Sequence, residues 1–120
     1  MDARTVALAV CSLCLLLPAR AQAQTVRPED AAQYVGQVVT VEGQVAQVSV
    51  SRRSNTTFLN FGARYPDHVF TAVIFRSAAG AFPNAAQWEG RRVRVSGRVR
   101  MYRGKPEIVL ESPSQLAAAP

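Results

Sequence analysis

Cysteine is scarce in this chain. Its 2 cysteines, Cys11 and Cys14, both sit near the N-terminus, and everything beyond them is free of thiols. No disulfide can therefore staple the rest of the chain, which must hold together by a packed core. Histidine is limited to His68 and lysine to Lys105. One histidine and no nearby cysteine leave a zinc site without its usual ligands, so no metal is expected. Acids are few as well, Asp+Glu 8 against Lys+Arg 14, for a net charge of +6 carried almost wholly by arginine. They are also scattered, which argues against the clustered carboxylates that nuclease chemistry requires. No Ser/His/Asp set, phosphate loop or dinucleotide fingerprint is present. The sequence reads as non-catalytic, with no cofactor. Its longest apolar run, Val6 to Leu17, is 12 residues, short of the roughly 20 that span a bilayer.

That apolar run has a different use. Met1 to Arg4 is weakly basic, Pro18 ends the run, and Ala19-Arg20-Ala21-Gln22-Ala23 places small residues at alternate positions. Basic end, short apolar core and A-x-A site are the order of a secretory signal. Residues 1–23 are expected to be a signal peptide, residues 24–111 the folded domain and residues 112–120 a flexible tail. The protein is expected to be exported, periplasmic or secreted. With hydrophobic residues at 48% and charged residues at 18%, the exported part has the composition of one globular domain.

Along that domain the hydrophobic period does the sorting. Pro28 to Gly36 opens with proline and two acids and closes on glycine, which predicts a short helix. Val39, Val41, Gly43 and Val45 alternate with polar residues, and Val48 and Val50 continue on the opposite parity, predicting a long strand with a bulge just after Gly43. Thr56 to Phe61 and Val69 to Phe75 read as strands two and three. Ser77 to Glu89 reads as short helical turns ending at Gly90. Val93 to Met101 alternates with arginines as strand four, Arg103-Gly104 turns the chain, and Glu107 to Leu110 is strand five. Tyr34, Phe70, Val73, Ile74 and Trp88 are assigned to the core or its cap. Five short strands with a helical link between the third and fourth are most economically closed into an all-β, five-stranded Greek-key barrel, the oligonucleotide/oligosaccharide-binding (OB) fold.

Particular stretches sharpen this. Val38-Val39-Thr40-Val41-Glu42-Gly43-Gln44-Val45, Phe58-Leu59-Asn60-Phe61-Gly62 with Tyr65-Pro66, and Phe70 to Phe75 are followed by Glu89 to Gly97 and by Tyr102-Arg103-Gly104-Lys105-Pro106-Glu107-Ile108. Together, over roughly Pro28 to Gln115, they resemble a small secreted bacterial OB-fold domain of the nucleic-acid-binding type, also found beside nuclease domains. The resemblance implies a binding module. Its motifs are mostly turn and core residues, so they specify the fold better than the ligand.

The fold's usual binding surface is the outer face of strands two and three, flanked by the first and last hairpin loops. Those loops carry Arg52, Arg53, Arg103 and Lys105, with Tyr102 beside them, and strand alternation turns Phe58 and Asn60 outward. Cations for phosphates and a ring for a base suit sequence-tolerant binding of single-stranded nucleic acid. The same groove would serve a glycan, a cell-wall fragment or a protein partner. A second basic stripe, Arg92, Arg94, Arg98 and Arg100, lies along one face of strand four. It is either paired by Glu42, Glu107 and Glu111 or a further anion-binding surface. His68 is expected to be an exposed loop residue, and Asn55-Thr56-Thr57 a chance glycosylation match.

Overall fold

The computed structural model describes residues 23–120, so all but the last residue of the expected signal peptide lies outside the described residues. The long alternating stretch forms β2 (Val38–Ser51), which pairs with two neighbours in turn. Its first half runs antiparallel to β5 (Arg92–Arg98) with Val41 opposite Val95, and its second half antiparallel to β3 (Thr56–Phe61) with Val48 opposite Leu59. The register shifts between Val45 and Gln47, two residues beyond the glycine that the parity change pointed to. β3 pairs with β4 (Phe70–Ile74), β4 runs parallel to β7 (Lys105–Val109), and β7 forms a hairpin with β6 (Arg100–Tyr102). Short β1 (Thr25–Val26) lies parallel to β2, and β8 (Leu116–Ala118) antiparallel to β5.

The architecture is thus mostly β, one sheet of eight strands in the order β6-β7-β4-β3-β2-β5-β8 with β1 beside β2. The expected fourth strand divides into β5 and β6 at Val99, whose N–H and C=O turn aside to Gln37 and Gly36 (3.0 and 2.8 Å). Gly97 allows the bend, because a Cβ there would stand 2.6 Å from Cγ2 of Ile108 and its φ is +156°. β5 and β7 approach that closely without pairing.

The predicted helices are all 3-10 turns: Pro28–Tyr34, Arg76–Ala81 and Ala85–Trp88. The first packs buried Ala31 onto the core, and Pro28 fills the space that a Cβ on Gly43 would occupy. The core is the inward set of every long strand, with Val39, Val41, Val45, Leu59, Phe61, Phe70, Ile74, Val93, Val95 and Ile108 all buried. Phe61 and Phe70 meet with ring centroids 5.2 Å apart and planes inclined by 59°. Each such side chain contributes roughly 1.5–3 kcal/mol by leaving water, which is how a thiol-free domain stays folded. Trp88 and Tyr34 pack against this cluster from its margin.

The expected flexible tail needs correction. Ser112 and Gln115 form a reciprocal capping box around Pro113–Gln115, and Gln115 Nε2 donates to the carbonyls of Ser96 (3.0 Å) and Val109 (3.1 Å). Leu116 is buried and opposes Val95. The composition Ala-Ala-Ala-Pro suggests fraying, but the open edge of β5 supplies a partner that composition cannot report.

Candidate functional site

Pairing places one row of outward residues across the sheet. Asn60 stands opposite Thr71, Thr71 opposite Glu107, and Glu107 opposite Arg100. The adjacent row pairs Ser49 with Phe58, Phe58 with Val73, and Val73 with Val109. These rows share a face but not an environment.

The Asn60–Thr71 end of the first row lies under the β3–β4 connection, residues 62–69, whereas its Glu107–Arg100 end reaches the cleft beside the second row. Gln47 Oε1 accepts both from the Tyr65 backbone N–H (2.8 Å) and from Asn60 Nδ2 (3.1 Å). Lys105 Nζ donates to the carbonyls of Pro66 and His68, the former at 3.0 Å. Asn60 and Thr71 are 2% and 5% exposed. Asn60 therefore does not reach solvent, which corrects its expected place in the binding surface, because its amide donates to Gln47 of β2, the same side chain that takes the loop's Tyr65 N–H. Lys105 is corrected too, since its ammonium braces the loop and is not left for a phosphate. His68 is buried, not exposed, with the Tyr65 ring stacked on it at 5.7 Å and its Nδ1 without a partner. Burial first, then the charge of Lys105, pushes its imidazole below the usual 6.5 against the opposing charge of Asp67.

The second row opens onto a cleft of about 690 Å³, lined by Phe58, Val73, Phe75 and Tyr102 with Ser54, Thr56, Arg76, Ser77, Arg100 and Glu107. Phe58 and Tyr102 therefore line the same cleft. Phe75, Arg76 and Arg100 are cleft residues that sequence reasoning did not place there. Phe75 follows β4 directly, where the all-apolar run Ala72-Val73-Ile74-Phe75 gives no polar alternation to mark the outward face. Ser54, on the turn that also holds Arg52 and Arg53, and Tyr102, next to Arg103, line the cleft, while those three arginines themselves do not. Arg103 and Gly104 both have positive φ (+50° and +81°), the signature of a tight hairpin turn with primed geometry. The Arg103 guanidinium lies 5.3 Å from the Tyr102 ring centroid. Among the described residues Arg52, Arg53, Arg76 and Arg103 have no carboxylate partner.

The basic stripe is different. Glu42 takes Arg92 at 3.2 Å and Arg94 at 2.9 Å, and Glu107 takes Arg100 at 2.6 Å. Arg98 Nη1 donates to the Gly36 carbonyl. The hydrogen bond from Arg94, with the charges of both arginines behind it, holds the Glu42 carboxyl below its ordinary 4.5. Glu111 pairs with no described arginine. Cross-strand pairing thus accounts for three of the four stripe cations. Among the described residues no group of three or more His, Cys, Asp or Glu side chains is placed to hold a metal ion, and no helix is long and apolar enough to cross a membrane.

Known structures carry the same arrangement of strands. An OBody solved bound to hen egg-white lysozyme superposes with a TM-score of 0.59 at 18% identity, over 82% of this chain and 96% of that one. The aspartyl-tRNA synthetase of Entamoeba histolytica gives 0.53 at 17% identity over 89% of this chain. The asparaginyl-tRNA synthetase of the same organism gives 0.51 at 19% over 83%. What they share is the fold. It is OB-fold-like, and this chain spans 24% and 25% of the two synthetase chains. No protein-family model matches the chain, and no curated protein does.

Proposed function

We propose that this chain is a non-catalytic OB-fold module that binds single-stranded nucleic acid in the cleft between its two hairpin turns. β5 and β6 together serve as the fourth strand of a five-stranded barrel in this reading. The observation that carries it is the juxtaposition of Phe58, Phe75 and Tyr102 in one open cleft with unpaired arginines on the turns at either side. Rings of this kind stack on unpaired bases, while cations at the margin meet the phosphates. The fold's likeness to two synthetases that are named for tRNA supports the same ligand class. The signal-like N-terminus supports an exported, bacterial setting, which N-terminal sequencing of protein from the cell envelope tests; a chain still beginning at Met1 would count against it.

Binding is tested by titrating a labelled single-stranded oligonucleotide with the protein across a salt series. The unpaired Arg52, Arg53, Arg76 and Arg103 give a log–log slope of roughly −3, at about −0.7 per phosphate on a single strand. Affinity that ignores salt would instead favour a glycan, a cell-wall fragment or a protein partner held by stacking alone. No retention of oligonucleotide at low salt overturns the nucleic-acid reading.

A further inference from the structure

The floor of the cleft differs from its rim. At the rim the arginines are unpaired. On the floor Arg100 is neutralised, its Nε 2.7 Å and its Nη2 2.6 Å from Oε2 of Glu107. Both contacts fall on that one oxygen. The other, Oε1, accepts from no described residue. It is not sealed off either, because the described residues hold a single buried side-chain polar atom without a partner, and that atom is Nδ1 of His68. Glu107 is 4% exposed and lines the cleft, so a sliver of acceptor is what this buried carboxylate shows to a ligand. Its position is fixed from both sides, by Thr71 on β4 and Arg100 on β6. Arg100 in turn lies 5.9 Å from the Phe75 ring centroid.

A carboxylate oxygen has no proton to give, and it repels a phosphate. The floor therefore favours a base over the backbone, and it favours a base whose edge donates. Cytosine offers its N4 amino group to a carboxylate in this way. Uracil carries a carbonyl oxygen at that position, which would face Oε1 acceptor to acceptor. We propose that Glu107 is a specificity-determining residue of the cleft, selecting bases that bear an exocyclic amino group, with cytosine preferred over uracil. This rests on the nucleic-acid reading above and changes it in one respect, since binding is then selective at one position and not wholly sequence-tolerant. Arg100 is a positioning residue, holding the carboxylate so that Oε1 meets the base.

The test is fluorescence anisotropy with the protein and two labelled single strands of equal length, one all deoxycytidine and one all deoxyuridine. The cytidine strand should bind at least roughly five-fold tighter, the lower end of what one good base-edge contact discriminates. Glu107→Gln should close that gap, because an amide presents an acceptor to cytosine or a donor to uracil equally well. Equal affinity of the unsubstituted protein for the two strands overturns the proposal without touching the binding reading, and that comparison stands even where the variant fails to fold. A gap that survives in Glu107→Gln overturns the role of Glu107. Binding of neither strand overturns both this proposal and the nucleic-acid reading beneath it.

Discussion

The outer face of β3 and β4 is one surface generated by one alternation, yet its two ends behave in opposite ways. At one end Asn60 and Thr71 are buried beneath residues 62–69, with their polar atoms bonded to the sheet or loop. At the other, Phe58, Val73 and Phe75 line an open cleft. Parity decides which face a side chain takes. The connection that follows β3 decides whether solvent, or a ligand, can reach it.

The largest effect is expected at the open end. Phe58→Ala should weaken oligonucleotide binding by about 1–3 kcal/mol, the worth of one stacked base, with the salt slope preserved. Asn60→Ala, at the covered end, should leave affinity unchanged in the same titration. If the two substitutions weaken binding equally, the distinction between the ends is lost.

The covered end should instead be sensitive in stability. Lys105→Met removes a charged donor from two loop carbonyls and should cost about 1.5–3 kcal/mol in urea denaturation. Hydrogen exchange at the Val69 N–H, bonded to the Phe61 carbonyl, should quicken along with it. Acid acts on the same end. Because burial lowers the His68 value in the folded state, the unfolded chain takes up the proton more readily. Stability from this group is full above 6.5 and declines as pH falls from there through the lower folded value. The thermal midpoint of the native protein should drop between pH 8 and pH 5, and His68→Phe should flatten that profile.

The smallest effects separate free arginines from paired ones. Arg52→Ala or Arg103→Ala should each flatten the oligonucleotide salt slope by about 0.7. Arg94→Ala should leave it close to unchanged, because Glu42 already occupies that guanidinium. A large slope change from Arg94 alone would move the interface to the other face of the sheet.

These contrasts also mark what could be read in the residues. The strands, the bulge beyond Gly43, the turn at Arg103-Gly104 and the pairing of Arg92 and Arg94 follow from periodicity and cross-strand charge. Phe58 and Tyr102 follow from parity and turn position. Asn60, Lys105 and His68 do not, because each is governed by where residues 62–69 fold back. That path depends on contacts with Gln47 and β7 that are distant in the chain. Phe75 and Arg76 were missed for a related reason, as they leave β4 just where the chain turns into a 3-10 segment and local pattern stops. The C-terminal segment was missed because a polar side chain, Gln115, does the anchoring, and no hydrophobic pattern announces it.

That anchoring has a practical consequence. Ala23 and Thr25, where the described chain starts, line a shallow depression of about 430 Å³ together with Ser114, Gln115 and Ala117 near its other end. None of these residues lines the cleft. The two ends of the domain therefore emerge side by side, on strands other than those that carry Phe58 and Val73. A fluorophore attached to β8 would therefore sit on a strand other than those that carry Phe58 and Val73.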